Sequence, residues 1–268
     1  MRISVPVRLT LRTFALAYLT LLVVLPVGAV LFRAFEPGIE TFVASVRTPA
    51  AIAALNLTLL LLAIVVPLNV VLGTLAALCL VRGRFRGKAV LQVLLDLPFA
   101  VSPVVVGVAL IALWGASGWF GALAGAGGGV IFALPGMVLA TAFVTLPFVA
   151  RELEPMLREL GDEQEQAAAT LGASGWQAFW RITLPSIRLG LIYGTLLTIS
   201  RGLGEYGAVL LVSSNLPGVS QTLTLLVHAR FLDAANAYGA YAVATMLMGL
   251  SLLTLLAAAL FERSRRHA

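Results

Sequence analysis

The sequence predicts an all-α membrane protein with six transmembrane helices, and three observations carry that prediction. Hydrophobic residues make up 60% of the 268-residue chain and charged residues only 11%, against about 25% charged in soluble domains. Mean hydropathy is +1.00. Six apolar runs each reach or approach the roughly 20 residues that a helix needs to cross hydrocarbon, and basic residues gather in alternate connections between them. The net charge of +6 therefore reads as basic loops on one membrane face, with the lipid bilayer as partner and no nucleic acid.

The runs cover residues 14–32, 56–81, 89–114, 130–150, 189–212 and 238–261. The first follows Arg2, Arg8 and Arg12, as a signal peptide would. It is longer than a signal core, and its removal would leave an odd number of spans, so an uncleaved helix is expected. Cys79 inside the second run is read as a small packing residue, since one thiol forms no internal disulfide or metal cluster. His228 and His267 lie too far apart in the chain to suggest a metal site. The glycine-rich, uncharged segment 117–129 is expected to be a flexible turn.

Arg82, Arg84, Arg86 and Lys88 follow the second run, and Arg151, Arg158, Arg181 and Arg188 surround the connection after the fourth. Arg263, Arg265 and Arg266 follow the sixth. With six spans these groups and the N-terminal arginines share one side, which the positive-inside rule assigns to the cytoplasm, both termini included.

Between runs four and five lies EQAAATLGASGWQAFWRITLP, too polar to span. Asp162 with Glu165 resembles a capping box that would open a short helix. Ala167, Ala168 and Ala169 give it a smooth, closely approachable face, and Gly172 is placed to stop it. Ser174 with Gln177 is a second capping box, opening a second short helix in which Trp176, Phe179 and Trp180 share a face that can pack on the bundle. Pro185 is expected to end the segment before span five. Two caps, an alanine patch and an aromatic face favour a docking surface over a plain connector.

This segment resembles the EAA loop of bacterial ABC importer permeases: Gln166-Ala167-Ala168, then Gly172, Ile182 and Leu184-Pro185, at that pattern's spacing. The one departure is Gln166 where the pattern has Glu; Glu165 is adjacent but should point elsewhere on the helix. Further stretches, Asp96-Leu97-Pro98-Phe99-Ala100-Val101-Ser102-Pro103, Phe143-Val144-Thr145-Leu146-Pro147-Phe148 and Gly204-Glu205-Tyr206-Gly207-Ala208-Val209, are similar to sulfate/thiosulfate permeases of the CysW type. The resemblance implies a type I ABC importer (MetI-like) permease fold in a bacterial inner membrane. Residues 1–55 would be an N-terminal arm, first helix and outer loop, 56–262 the permease core, and 263–268 a basic tail. It also implies a transport subunit with no cofactor of its own, ATP and Mg being bound by a partner ATPase dimer. Glu165, Gln166, Ala167, Ala168, Ala169, Leu171, Gly172, Ala173 and Trp176 would dock that ATPase as a coupling helix. A CysT-type second permease and an extracytoplasmic sulfate/thiosulfate-binding protein would complete the assembly. No G-x-x-x-x-G-K-[ST] loop occurs on this chain.

Asp96, Arg201 and Glu205 fall inside runs, where a charge costs roughly 2.5–3.5 kcal/mol on the insertion scale and normally faces a bundle interior or a water path. Arg201 and Glu205 are four apart and can pair along one helix face, either as a self-neutralising structural pair or with Arg201 beside an anion path. Asp96, near Pro98 and Pro103, reads as a structural partner or gate hinge, since a carboxylate repels sulfate. With Ser102, these make the candidate translocation-path residues. Gly202, Gly204 and Gly207 spell a dinucleotide fingerprint, but inside an apolar run they read as packing or bending positions. Residues 222–232 are apolar but too short for a span and predict an interfacial helix on the outer side, with His228 and Arg230 available to an anion or a partner. Permeases for molybdate or tungstate resemble the chain in the loop and in the region of Arg201 and Gly204-Glu205-Tyr206-Gly207, and are the alternative within the class. An ion-coupled secondary transporter would need an internal repeat of broken helices, which the sequence does not show, and no nucleophile–base set indicates a membrane enzyme or any catalytic or metal site.

Overall fold

The computed structural model describes residues 5–121, 129–233 and 236–265, and these form helices joined by short connections. α1 (Val5–Leu19) and α2 (Leu25–Phe35) are joined by a π-helical turn, Thr20–Val24, into one long helix. α3 (Ile39–Val46) leads into α4 (Pro49–Val81), whose N-cap Thr48 accepts a hydrogen bond from the Ala51 N–H. α5 (Lys88–Ala100) and α6 (Pro103–Trp114) follow, then α7 (Leu134–Leu160), α8 (Glu163–Thr170) and α9 (Gly175–Ala178). A second π turn, Phe179–Thr183, runs into α10 (Leu184–Leu203), and α11 (Gly207–Val212), α12 (Leu223–Leu232) and α13 (Ala237–Arg265) complete the chain.

Among the described residues, five helices are long and apolar enough to cross a membrane: Leu9–Phe35, Pro49–Val81, Leu134–Leu160, Gly175–Leu203 and Ala237–Leu260. The expected third span, residues 89–114, is the pair α5 and α6, bent by 114°. Hydropathy sees apolar length and no angle. The bend falls where Pro98 and Pro103 remove two N–H donors and Val101 leaves the helical region. The expected fifth span is also shifted. Its helix starts at Gly175 and stops at Leu203, and residues 207–212 form the separate α11. Pro185 therefore lies inside a continuous helix rather than ending a segment. Both π turns directly precede a Leu-Pro pair, Leu25-Pro26 and Leu184-Pro185, where the wider turn takes up the missing donor and the ring. Of the segment 117–129, the residues up to Gly121 form turns, and 122–128 lie outside the described residues.

α7 is the central shaft, with α4 and α10 packed along it. Small residues allow the close approach. Gly190, Gly194, Thr198 and Gly202 form a buried stripe at every fourth position of α10. A Cβ on Gly194 would stand 3.1 Å from the Val149 Cα, and one on Gly73 of α4 would stand 2.8 Å from the Val149 Cβ. Buried Asn69 of α4 adds a polar tie, donating to the Ala142 carbonyl at 3.1 Å and the Thr145 hydroxyl at 2.7 Å. α1, α2 and much of α13 present exposed apolar side chains, as a surface facing lipid or another subunit must. Cys79 is exposed on α4, so it faces outward rather than filling the core.

Candidate functional site

α8 forms where the sequence places it, but its start differs from expectation. Asp162 is the N-cap and makes no side-chain cap. The Glu165 carboxylate turns away from the helix start to meet the bundle. Its oxygens lie 3.1 and 3.2 Å from Nε and Nη2 of Arg82, and Oε1 accepts the Thr183 hydroxyl at 2.7 Å. Arg82 also donates to the carbonyls of Leu157 at 3.2 Å and Gly161 at 2.5 Å. One guanidinium thus joins the end of α4, the end of α7 and α8. A charge-assisted tie here has greater value than a local cap. Glu165, not Gln166, faces inward; Gln166, Ala167 and Ala169 are exposed and Ala168 is half-buried. The inward ion pair of this loop is made by Glu165, next to Gln166.

α8 ends in a Schellman turn. Gly172 adopts φ +87°, its N–H reaches the Ala169 carbonyl, and the Ala173 N–H reaches that of Ala168. Leu171 is displaced to the tip and is 89% exposed, Gly172 is exposed, and Ala173 turns partly inward to line a small cavity with Ala169, Gly175 and Thr183. The Ser174–Gln177 capping box forms in both directions. The helix it opens is the first turn of span five rather than a separate hinged element. Trp176, Phe179 and Trp180 do share one face, with ring centroids 5.5–6.2 Å apart. Only Phe179 of that face turns inward, half-buried beside Leu78 of α4; Trp176 and Trp180 are exposed.

A second group of candidates meets at the α5–α6 break. Ser102 is exposed at the head of α6, and Arg201 lies across from it on α10. Both line an open cavity of about 410 Å³ with Pro98, Phe99, Val144 and Phe148. Arg201 Nη1 stands 2.8 Å from Glu205 Oε2 without an aligned hydrogen bond. The pair is asymmetric, with the Glu205 side chain 1% exposed and that of Arg201 33%. Glu205 Oε1 accepts the Ala208 N–H at 3.0 Å, and its carbonyl accepts the Thr224 hydroxyl, so the residue also fixes α11 and α12. Asp96 is outside the cavity lining. It pairs with Arg151 and ties α5 to α7 one turn beyond the edge-to-face rings of Phe99 and Phe148. Of the three glycines nearby, Gly202 and Gly207 are close-packing positions against Leu62 and Pro103, and Gly204 sits in the break after α10.

The short helix expected at 222–232 is present as α12, but Arg230 is not available to a ligand. It is buried, and donates to Ser45 O at 3.0 Å, Gly239 O at 3.2 Å and the Thr48 hydroxyl at 2.5 Å. The helix buries Leu223, Leu225, Leu226 and Arg230, leaving Phe231 and Leu232 exposed. The aliphatic stem of an arginine can enter a core when its head finds carbonyls, and three acceptors at adjoining helix ends supply them. His228 packs on Tyr206 at 5.2 Å and borders an open groove with Gly204, Thr224, Phe231 and Ser251. Residues that sequence reading passed over are Arg82 as a tie, Thr183, Asn69 and Arg151. The partners of Arg82, Asn69 and Arg151 lie 55 or more residues away and that of Thr183 lies 18 away, and only the basic character of the two arginines was visible locally.

The geometry can be set beside known proteins. The family model "Binding-protein-dependent transport system inner membrane component" matches residues 69–267. The chain is 45% identical over 262 residues to the sulfate transport system permease protein CysW of Synechocystis sp., covering 97% of this chain and 95% of that one. It is 38% identical over 253 residues to the CysT permease protein of the same organism, covering 94% and 88%. Among solved structures, it resembles a chain of the bacterial alginate ABC transporter in complex with an alginate pentasaccharide-bound periplasmic protein. The TM-score there is 0.77 at 16% identity, over 94% of this chain and 92% of that one.

Proposed function

The chain belongs to the family of binding-protein-dependent transport system inner membrane components, and from that premise we propose that it is the CysW-type permease subunit of an ATP-driven sulfate importer. Its fold is the all-helical type I importer (MetI-like) permease fold. The observation that carries the reading is the near-full-length identity to a sulfate permease protein, on a chain whose inter-span loop carries Gln166-Ala167-Ala168, Gly172 and Leu184-Pro185 at the motif's spacing. Molybdate and tungstate are not favoured by these relatives. Thiosulfate, as a tetrahedral dianion of similar size, belongs to the same reading.

In this reading α8 is the coupling helix. Leu171, Gly172, Gln166, Ala167, Ala169 and Trp176 form its outward surface, and they seat in a groove of the ATPase subunit, which binds ATP and Mg. Ala168 and Ala173 back that surface, and Glu165 holds it to the bundle. The end of the bundle that carries Arg82, Arg158 and α8 faces the cytoplasm with both termini. A CysT-type permease completes the pathway, and an extracytoplasmic sulfate-binding protein loads it from the opposite side.

Uptake of radiolabelled sulfate tests the proposal. Proteoliposomes holding this chain with the second permease, the ATPase and the loaded binding protein should accumulate sulfate only when ATP is present. A charged, bulky residue at Gly172 or Ala168 should abolish uptake while the permease pair still inserts. Normal uptake by such a variant, with the ATPase still co-purifying, would reject the docking role. Accumulation of molybdate but not sulfate would reject the substrate.

A further inference from the structure

We propose that the cavity at the α5–α6 break is a transit site for a doubly charged tetrahedral oxyanion, with Arg201 as its cation, and that Asp96–Arg151 and Phe99–Phe148 close it on one side. The inference rests on the permease reading and adds to it a site and a gate.

A neutral ion pair inside a bundle would enclose both partners. Here the carboxylate is enclosed and the guanidinium is not. Glu205 is held in place by the Ala208 N–H and the Arg201 contact, whereas Arg201 opens onto a cavity of about 410 Å³. The exposed half of the pair is therefore positive. Ser102 supplies a hydroxyl on the same wall, and α6 begins there, with Pro103 in its first turn and its positive dipole end at the cavity lip. The remaining wall, Pro98, Phe99, Val101, Val144 and Phe148, carries no charge. An anion that enters meets one cation, one hydroxyl and otherwise uncharged side chains. Glu205 at 2.8 Å tempers the cation. A transit site requires that balance, since binding must be strong enough to admit the ion and weak enough to release it.

The closure lies in register below the cavity. α5 and α7 run antiparallel there. Phe99 meets Phe148, with centroids 5.5 Å apart, and one turn further Asp96 meets Arg151. Both contacts lie toward the Leu160 end of α7. An anion leaving Arg201 in that direction must part the two rings, and it then encounters an arginine already paired to a carboxylate. Opening α5 from α7 parts Arg151 from Asp96 at the moment the rings separate and leaves Arg151 on α7 as a second cation.

The test uses the complete reconstituted transporter, with Cys79 replaced by serine and Ser102→Cys as a reporter. The probes are a negatively charged and a positively charged methanethiosulfonate reagent of similar size. The anionic reagent should react faster. Adding Arg201→Gln with Glu205→Gln, so that no buried carboxylate is left alone, should lower the anionic-to-cationic rate ratio at least fivefold. The same double substitution on an otherwise unaltered chain should cut sulfate uptake at least tenfold, with the assembly still recovered intact. Asp96→Asn with Arg151→Gln should let the anionic reagent reach position 102 from the Leu160 side without ATP. An unchanged reagent ratio together with wild-type uptake in the double variant overturns the site, and unchanged reagent access in the Asp96/Arg151 variant overturns the gate. Absence of sulfate uptake by the unaltered transporter would instead overturn the permease reading on which both rest.

Discussion

Replacing Arg82 by glutamine should loosen α8 from the bundle by an amount that the structure bounds. Arg82 makes two contacts to Glu165 and one each to the carbonyls of Leu157 and Gly161. The two side chains are 22% and 23% exposed, between the surface regime, where an ion pair contributes about 0–1 kcal/mol, and the buried regime, where removing one partner costs about 3–5 kcal/mol. A local loss of about 2 kcal/mol follows, which is roughly a 30-fold rise in the open population of α8. Amide hydrogen exchange on the purified permease pair measures it: protons within Glu163–Thr170 should exchange roughly 30-fold faster, with those of α7 near Met137–Val149 unchanged. Glu165→Gln should produce a similar change, and the Arg82→Gln/Glu165→Gln double variant should add little, since both substitutions remove one interaction. If the single variants exchange within twofold of the parent, or their effects simply add, Arg82 does not hold the loop and the account of Glu165 as the inward-facing acid is wrong.

Other expectations separate packing from surface. Gly73→Leu or Gly194→Leu should destabilise the bundle by about 1–3 kcal/mol or more through overpacking against α7, seen as a lower midpoint in size-exclusion thermal scans; Gly28→Ala, where a Cβ meets nothing within 4 Å, should leave the midpoint unchanged. Arg230→Ala should cost about 2–3 kcal/mol by stranding buried acceptors, and a cysteine there should resist an impermeant thiol reagent that labels a cysteine placed at Leu232 from the same side. Ser174→Ala should fray the first turn of span five by about 1 kcal/mol, visible as faster exchange at the Gln177 amide with little change in uptake.

What could be read in advance follows from where the information sits in the chain. A local pattern names its own partner: Gly172 stops α8, Ser174 and Gln177 cap one another three residues apart, and Arg201 meets Glu205 one turn away. Each of these contacts closes within the segment that encodes it. The contacts that were missed join residues distant in sequence. Arg82 and Glu165 are 83 positions apart, Asn69 and Thr145 are 76 apart, and Arg230 finds Ser45 across 185. Arg230 shows the consequence most clearly. A charged residue on a short amphipathic helix reads as exposed by composition, and only the arrival of three acceptors from α3, α4 and α13 makes its burial affordable. The bend in span three was half legible. Pro98 and Pro103 mark where the helix can break, but the angle is set by the packing of α5 on α7 and of α6 on α11, which no single segment contains.

The two candidate regions share one element, α7, and its sequence explains how it serves both. The Leu157 carbonyl takes part in the Arg82 tie at one end, while Val144 and Phe148 wall the cavity nearer the other. Between and beside them stand Pro147 and Pro155. Each proline removes an N–H that would have bonded four residues back, so the carbonyls of Phe143 and Arg151 lose their helical donors. A free helix would break under two such losses, each about 3 kcal/mol. α7 remains helical over 27 residues because it is the most enclosed of the spans, gripped by the Gly73 and Asn69 positions of α4 and by the glycine stripe of α10. Phe148 and Arg151, whose side chains meet Phe99 and Asp96 of α5, both fall between the prolines. The close-packed glycines thus hold the helix continuous where its own backbone is weakest, and that weak stretch carries contacts to the broken helix pair.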